Sequence, residues 1–177
     1  MKIADKLKLH LEEAYVHINR LNDILSILDA IYPLDNDKLA SISLENKDKL
    51  DVLAFRFSKL QDLLGTKIFR EYLSVLQYPV DEKNFLELLK ELDKEKIIDI
   101  DIWSEFRGVR NSISHDYPFE ENEKIEAINY LIKNVNYLIT ITNNIKASFE
   151  TINKWSSKNK KQSQDYIWWS SCISFWK

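Results

Sequence analysis

The stretch LKLHLEEAYVHINRLNDILSILDAIYP, residues 7–33, decides how this chain folds. Within it Leu7, Leu11, Ala14, Ile18, Leu21, Leu25, Leu28 and Tyr32 follow one another by alternating steps of four and three. That spacing draws one apolar seam along a long helix, which Pro33 ends. Leu50, Leu53, Phe57, Leu60 and Leu64 repeat the pattern after a polar loop. The second helix continues past Gly65 through Ile68, Phe69, Leu73 and Leu76, and stops before Pro79. A straight helix over 46–77 would be roughly 45–50 Å long. Gly65 is the weak link, since glycine costs about 1 kcal/mol in a helix interior.

Asp81 can cap a third helix carrying Phe85, Leu88, Leu89 and Leu92, and Asp99 or Asp101 a fourth with Ile102, Phe106, Val109 and Ile113 inward. Pro118 ends the fourth, because the residue before a proline avoids the helical region. A fifth seam runs through Ile125, Ile128, Ile132, Val135, Ile139 and Thr142 toward Phe149 and Ile152. Long seams joined by short loops predict an all-α fold, an antiparallel bundle of about five helices over residues 1–155. Residues 156–177 read as a separate tail, first basic with Lys158, Lys160 and Lys161, then rich in tryptophan with no clean helical period, and three roles stay open for it: docking on the body, contacting a partner, or a non-native extension.

Composition agrees with a single folded domain. The chain has 177 residues, of which 45% are hydrophobic and 30% charged, and only 2 are glycine and 3 proline, too few for sheets joined by tight turns. No stretch has the apolar length of a membrane span, and Met1-Lys2 opens onto charged amphipathic sequence; a cytoplasmic protein is expected. The lone Cys172 allows neither an internal disulfide nor a cysteine metal site. A net charge of −3 excludes a general polyanion binder, so any nucleic-acid contact must be local, and two subunits can assemble it.

One segment carries chemistry: Trp103-Ser104-Glu105-Phe106-Arg107-Gly108-Val109-Arg110-Asn111-Ser112-Ile113-Ser114-His115-Asp116-Tyr117-Pro118. On a wheel of about 100° per residue, Ile102, Phe106, Val109 and Ile113 fall within roughly 60° and mark the buried face. Arg107, Asn111 and His115 form a polar ridge away from it, with Ser114 beside the ridge and Arg110 on the flank. Histidine titrates near neutrality and can exchange a proton with a ribose 2′-hydroxyl or a leaving oxygen. Arginine offers a planar fork of donors to a phosphate. Asn111, one turn before His115, can fix the imidazole tautomer. These groups suit phosphodiester cleavage, and no metal or other cofactor is expected. Arg110 and His115 diverge by roughly 140° on an ideal helix. Either the helix end unwinds, or two copies of the ridge face each other across a two-fold dimer.

The Arg110-x4-His115-x-Tyr117 pattern, with Asn111 directly after the arginine, resembles the signature of the HEPN superfamily in its HepT-type form. The segment DVLAFRFSKLQDLLG, residues 51–65, resembles the second helix of such proteins, and the likeness spans roughly residues 7–152. The resemblance implies a HEPN-like bundle that dimerises through the motif helices and cleaves RNA without metal, as the endoribonuclease toxin of a toxin–antitoxin pair. Arg110 and His115 would be catalytic, and Asn111, Arg107 and Ser114 would bind or orient the RNA. It also implies an MNT-type nucleotidyltransferase antitoxin that silences the toxin by adding AMP to Tyr117. The alternative within the same resemblance is a non-enzymatic, substrate- or nucleotide-binding subunit of a two-component nucleotidyltransferase. A third reading is a helical interaction protein whose motif only stabilises a dimer. His10 and His17 read as residues flanking the first seam, and Arg56 as a buried-edge arginine paired with an acid such as Asp62 or Glu105.

Overall fold

The computed structural model describes residues 1–114 and 121–173, with side chains over 1–113 and 122–155. Among the described residues the chain is all helical and has no strand. The helices are α1 (Ile3–Leu28), α2 (Asn36–Ser41), α3 (Leu44–Leu63), α4 (Phe69–Val75), α5 (Phe85–Lys94), α6 (Ile100–Ser114), α7 (Glu121–Asn134) and α8 (Asn136–Ile173). None of them is long and apolar enough to cross a membrane.

Cross-links between the helices fix the antiparallel order. His10, Glu13 and His17 of α1 meet Glu71, Lys67 and Arg56 respectively, so α1 runs opposite to α3 and α4. Tyr15 of α1 hydrogen-bonds Asn143 of α8. On the other side, Glu105 of α6 accepts from Tyr130 of α7, and the Asp99 amide donates to Tyr137 of α8. The α1 seam is buried at Leu7, Leu11, Ala14, Ile18, Leu21 and Leu28, as its spacing requires. Ile24 takes the position expected of Leu25, and a 3₁₀ turn at Asp29–Ile31 carries Tyr32 off the seam to 38% exposure.

The second seam is one continuous helical rod, but not a uniform one. Between α3 and α4 the backbone widens into a π-turn, Leu64–Ile68, which contains Gly65. Glycine there does not break the helix. Leu64, Ile68 and Phe69 are each completely buried, so the wider turn presents more apolar surface to the core than an α turn does. The rod stops at Val75, where Gln77 adopts the left-handed conformation (φ 67°) and the Tyr78 amide reaches back to the Leu73 carbonyl.

Several local expectations need correction. Residues 36–41, read as loop, form the short α2, capped by Asp35 through the Lys38 amide at 2.7 Å. Asn84, not Asp81, caps α5, in a reciprocal capping box with Glu87. The cap of α6 is as expected: Asp99, one of the two candidates, accepts from the Asp101 and Ile102 amides at 2.9 and 3.1 Å. The fifth seam breaks at Val135, between α7 and α8, and buries Leu131 and Leu138 in place of Ile132 and Ile139. Apolar residues stand at both members of each pair, so periodicity accepts either phase. The backbone of α8 stays helical across position 155 to Ile173, although the tail sequence has no amphipathic period. An established helix gains one hydrogen bond per added residue and needs no seam to continue.

A cationic cleft beside the π-turn

Helix α6 is anchored at its start and open at its end. Phe106 is completely buried, stacked on Tyr137 (centroids 6.0 Å, planes 7° apart), edge-on to Tyr130 at 5.3 Å and tilted against Phe57 at 5.8 Å. Trp103 is 2% exposed and lies 4.8 Å from Phe69, centroid to centroid. Burial first, then the Glu105 carboxylate, push the Tyr130 hydroxyl above its ordinary range, so it stays a donor to that carboxylate. Past this anchor Arg107, Gly108 and Asn111 are exposed, and Val109, Arg110 and Ile113 are only half-buried.

The open end of α6 borders a cleft of about 470 Å³ that α3, the π-turn, α4 and α5 complete. Three arginines line it, Arg70, Arg107 and Arg110, against one carboxylate, Asp62. They are held differently. Arg70 donates to the Val80 and Lys83 carbonyls and so ties down the loop before α5. Arg110 Nη2 lies 3.0 Å from Asp62 Oδ2, with the two side chains 41% and 42% exposed. Arg107 makes no hydrogen bond or ion pair with the described residues, and its charge faces the cleft and solvent. Thr66 also lines the cleft, its hydroxyl bonded back to the Asp62 carbonyl at 2.7 Å.

The floor is less usual. Gln61 is 3% exposed, lines the cleft, and has no hydrogen-bond partner for either amide atom among the described residues. The indole nitrogen of Trp103 is in the same condition. An unpaired buried polar group costs about 1–3 kcal/mol, and the Gln61 amide and the Trp103 N–H both carry that cost. Gly65 keeps the floor open: a Cβ there would sit 3.4 Å from both the Phe85 and the Trp103 ring.

Of the residues singled out in the sequence, Arg107 and Arg110 come together at this cleft. Asn111 is exposed on the ridge where the wheel put it, but is not among the residues lining the cleft. Ser114 is the last helical residue of α6. His115 and Tyr117 lie outside the described residues. Arg56 is not paired with Asp62 or Glu105. Asp62 engages Arg110, Glu105 engages Tyr130, and Arg56 Nη1 points at His17 Nδ1, 3.4 Å away. Six residues of α-helix rotate about 240°, which carries Asp62 to another face of α3 from Arg56. His10 has a partner distant in sequence, Glu71 at 2.7 Å. Gln61, Asp62, Thr66, Phe85 and Trp103 were not legible as site residues. Gln61 did leave one signal: it stands four residues after Phe57, in the phase of the buried seam, where a polar side chain needs a reason.

Among the described residues, no three of His, Cys, Asp and Glu cluster closely enough to hold a metal ion. A larger groove of about 650 Å³ separates α1 from α8, but its polar lining is opposed lysines and glutamates such as Lys8, Glu12 and Lys146. It has no convergent charge. The described chain is therefore an antiparallel helical bundle with one arginine-lined cleft at the end of α6. Compared with known proteins, it matches no family model, no curated protein and no solved structure.

Proposed function

We propose that the protein is a metal-independent endoribonuclease of the HEPN type, acting as a HepT-like toxin. The observation that carries this reading is the convergence of Arg107 and Arg110 on one cleft at the end of α6, the helix that leads into His115. In the reaction, His115 accepts the proton of a ribose 2′-hydroxyl. The 2′-oxygen then bonds to the adjacent phosphorus, and the bond from phosphorus to the 5′-oxygen breaks. The leaving oxygen takes a proton from the histidine of a second copy. Arg110 donates to the phosphate oxygens as negative charge builds on them. To do so it exchanges Asp62, a half-exposed and therefore weak partner, for a dianionic transition state.

The dimer in this proposal answers the angular separation of Arg110 and His115 along one helix. Val109 and Ile113 pack against the bundle core, so such a contact would use the exposed polar ridge that carries Arg107 and Asn111. Silencing by an MNT-type antitoxin through AMP on Tyr117 belongs to the same proposal, since an added anion would compete with RNA for the arginines. Purified protein incubated with single-stranded RNA in the presence of EDTA tests the reading. Wild type is expected to cleave, and His115→Ala and Arg110→Ala are expected not to, with helical circular dichroism preserved. Cleavage by His115→Ala at the wild-type rate would refute it. A nucleotide-binding subunit without nuclease activity is the second reading, favoured by a cleft of small-molecule size, about 470 Å³, that carries Arg107 and Arg110.

A further inference from the structure

We infer that Asp62 holds Arg110 in reserve: Arg107 grips an arriving RNA phosphodiester, and Arg110 leaves Asp62 only as the phosphate takes on its second negative charge. This rests on the proposed function in taking an RNA phosphate as what the arginines bind. It adds an order of engagement to that site and a residue, Asp62, that sets the order.

The three arginines of the cleft are not equally available. Arg70 is committed to the Val80 and Lys83 carbonyls. Arg107 is exposed and has neither a hydrogen bond nor an ion pair among the described residues. Arg110 stands three residues further along α6, on the same cleft, so both side chains can reach one anion. Its Nη2, however, is already on Asp62 Oδ2 at 3.0 Å. Asp62 is the one carboxylate in the lining among the described residues. A phosphodiester carries a single negative charge, as Asp62 does, and Asp62 is tethered in place. Exchanging one monoanion for the other gains Arg110 little. The pentacovalent transition state carries two negative charges, and attraction to a guanidinium grows in proportion. A contact made only at that stage speeds the reaction, whereas one made earlier tightens binding alone. The Asp62 carboxylate has no other evident task. Its side chain is 42% exposed, and the Thr66 hydroxyl bonds its backbone carbonyl instead.

Fluorescence anisotropy with a labelled 2′-O-methyl RNA oligonucleotide, which cannot be cleaved, reads ground-state binding. Steady-state cleavage of the unmodified RNA in EDTA reads turnover. Asp62→Asn should bind the 2′-O-methyl RNA about threefold to tenfold more tightly than wild type at low salt, with the gain fading as salt rises. A gain of binding cannot come from a misfolded protein. In cleavage the same variant should lower KM without raising kcat. Asp62→Glu keeps the charge and should stay near wild type, and Arg107→Gln should loosen binding several-fold. Asp62→Asn combined with Arg110→Gln removes the pair whole, so it should bind as wild type does and cleave nothing. Unchanged or weaker binding by Asp62→Asn would overturn the inference; weaker binding would make Asp62 a residue that orients Arg110 for the diester. An equal gain in the double variant would overturn it too, since the gain would not pass through Arg110. Tighter binding by Asp62→Asn in a protein that cleaves no RNA would remove the ribonuclease and keep Asp62 as the brake on Arg110. Cleavage by wild type, with binding unmoved by Asp62→Asn, would do the reverse.

Discussion

Helices α1 and α6 are both amphipathic, yet they end in opposite ways. Along α1 the buried positions succeed one another from Leu7 to Leu28, all between 0 and 4% exposed apart from His17. Along α6 burial is complete at Trp103 and Phe106, then falls to half at the next seam positions, Val109 and Ile113, with Arg107, Arg110 and Asn111 on the faces beside them. A finished seam is what a helix needs to hold a bundle together. An unfinished one leaves side chains to face something other than the protein's own core, and here those side chains are cationic. The contrast separates stability from chemistry along the chain, and substitutions can test whether the separation is real.

The largest expected effect is on the anchored half of α6. Phe106→Ala should cost about 3–5 kcal/mol of stability, because it empties a fully buried site among three aromatic rings. Urea denaturation measures this directly, and a loss under about 1 kcal/mol would mean that α6 is not anchored as described. Four residues on, the balance should invert. Arg110→Ala should lower RNA cleavage by about 10²-fold or more, the scale of a lost transition-state donor. Loss of the half-exposed Asp62 pair should itself cost no more than about 1 kcal/mol of stability. A large stability loss with activity retained would make Arg110 a structural residue and dissolve the contrast.

His17 is the polar member of the otherwise apolar α1 seam, and it sharpens the comparison through pH. Burial first, then the neighbouring Arg56, lower its pKa from the ordinary 6.5. The folded protein therefore binds this proton less readily than the unfolded chain. Stability from this site is whole above pH 6.5 and is lost as pH falls through the depressed folded value. His17→Gln should flatten that part of the stability profile, read from urea midpoints between about pH 7 and pH 5. An unchanged slope would mean that other groups set it.

The smallest effects belong to the two glycines. Gly108 has nothing within 4 Å of where a Cβ would stand, so Gly108→Ala should stabilise α6 by up to about 1 kcal/mol. Gly65→Ala should gain less, because its Cβ meets two rings at 3.4 Å. Thermal melts of the two variants side by side will show the difference.

The fold was legible because seams repeat: the steps of three and four in α1 and α3 name most of those two helices' own buried positions without any knowledge of what they face. The errors arose where two readings satisfy the same rule, as with Asp81 against Asn84 for a cap, or Ile132 against Leu131 for a buried position. The cleft was half legible. Arg107 and Arg110 share one short segment with the rest of the motif, so spacing exposed them. Asp62 lies 48 residues from Arg110, and Gln61 meets Trp103 and Phe85 only once three helices have packed. No local pattern encodes such a meeting.

A π-turn is what a single inserted residue leaves in a helix that otherwise keeps its register. The rod of α3 and α4 thus reads as an ordinary helix carrying one residue more than its packing requires, at the point where the cleft opens. Removing Gly65 would return the rod to plain α geometry, with the apolar faces on either side still turned toward α1. The deletion would also withdraw the turn that brings Gly65 and Thr66 to the lining of the cleft, so one extra residue joins the rod to the site.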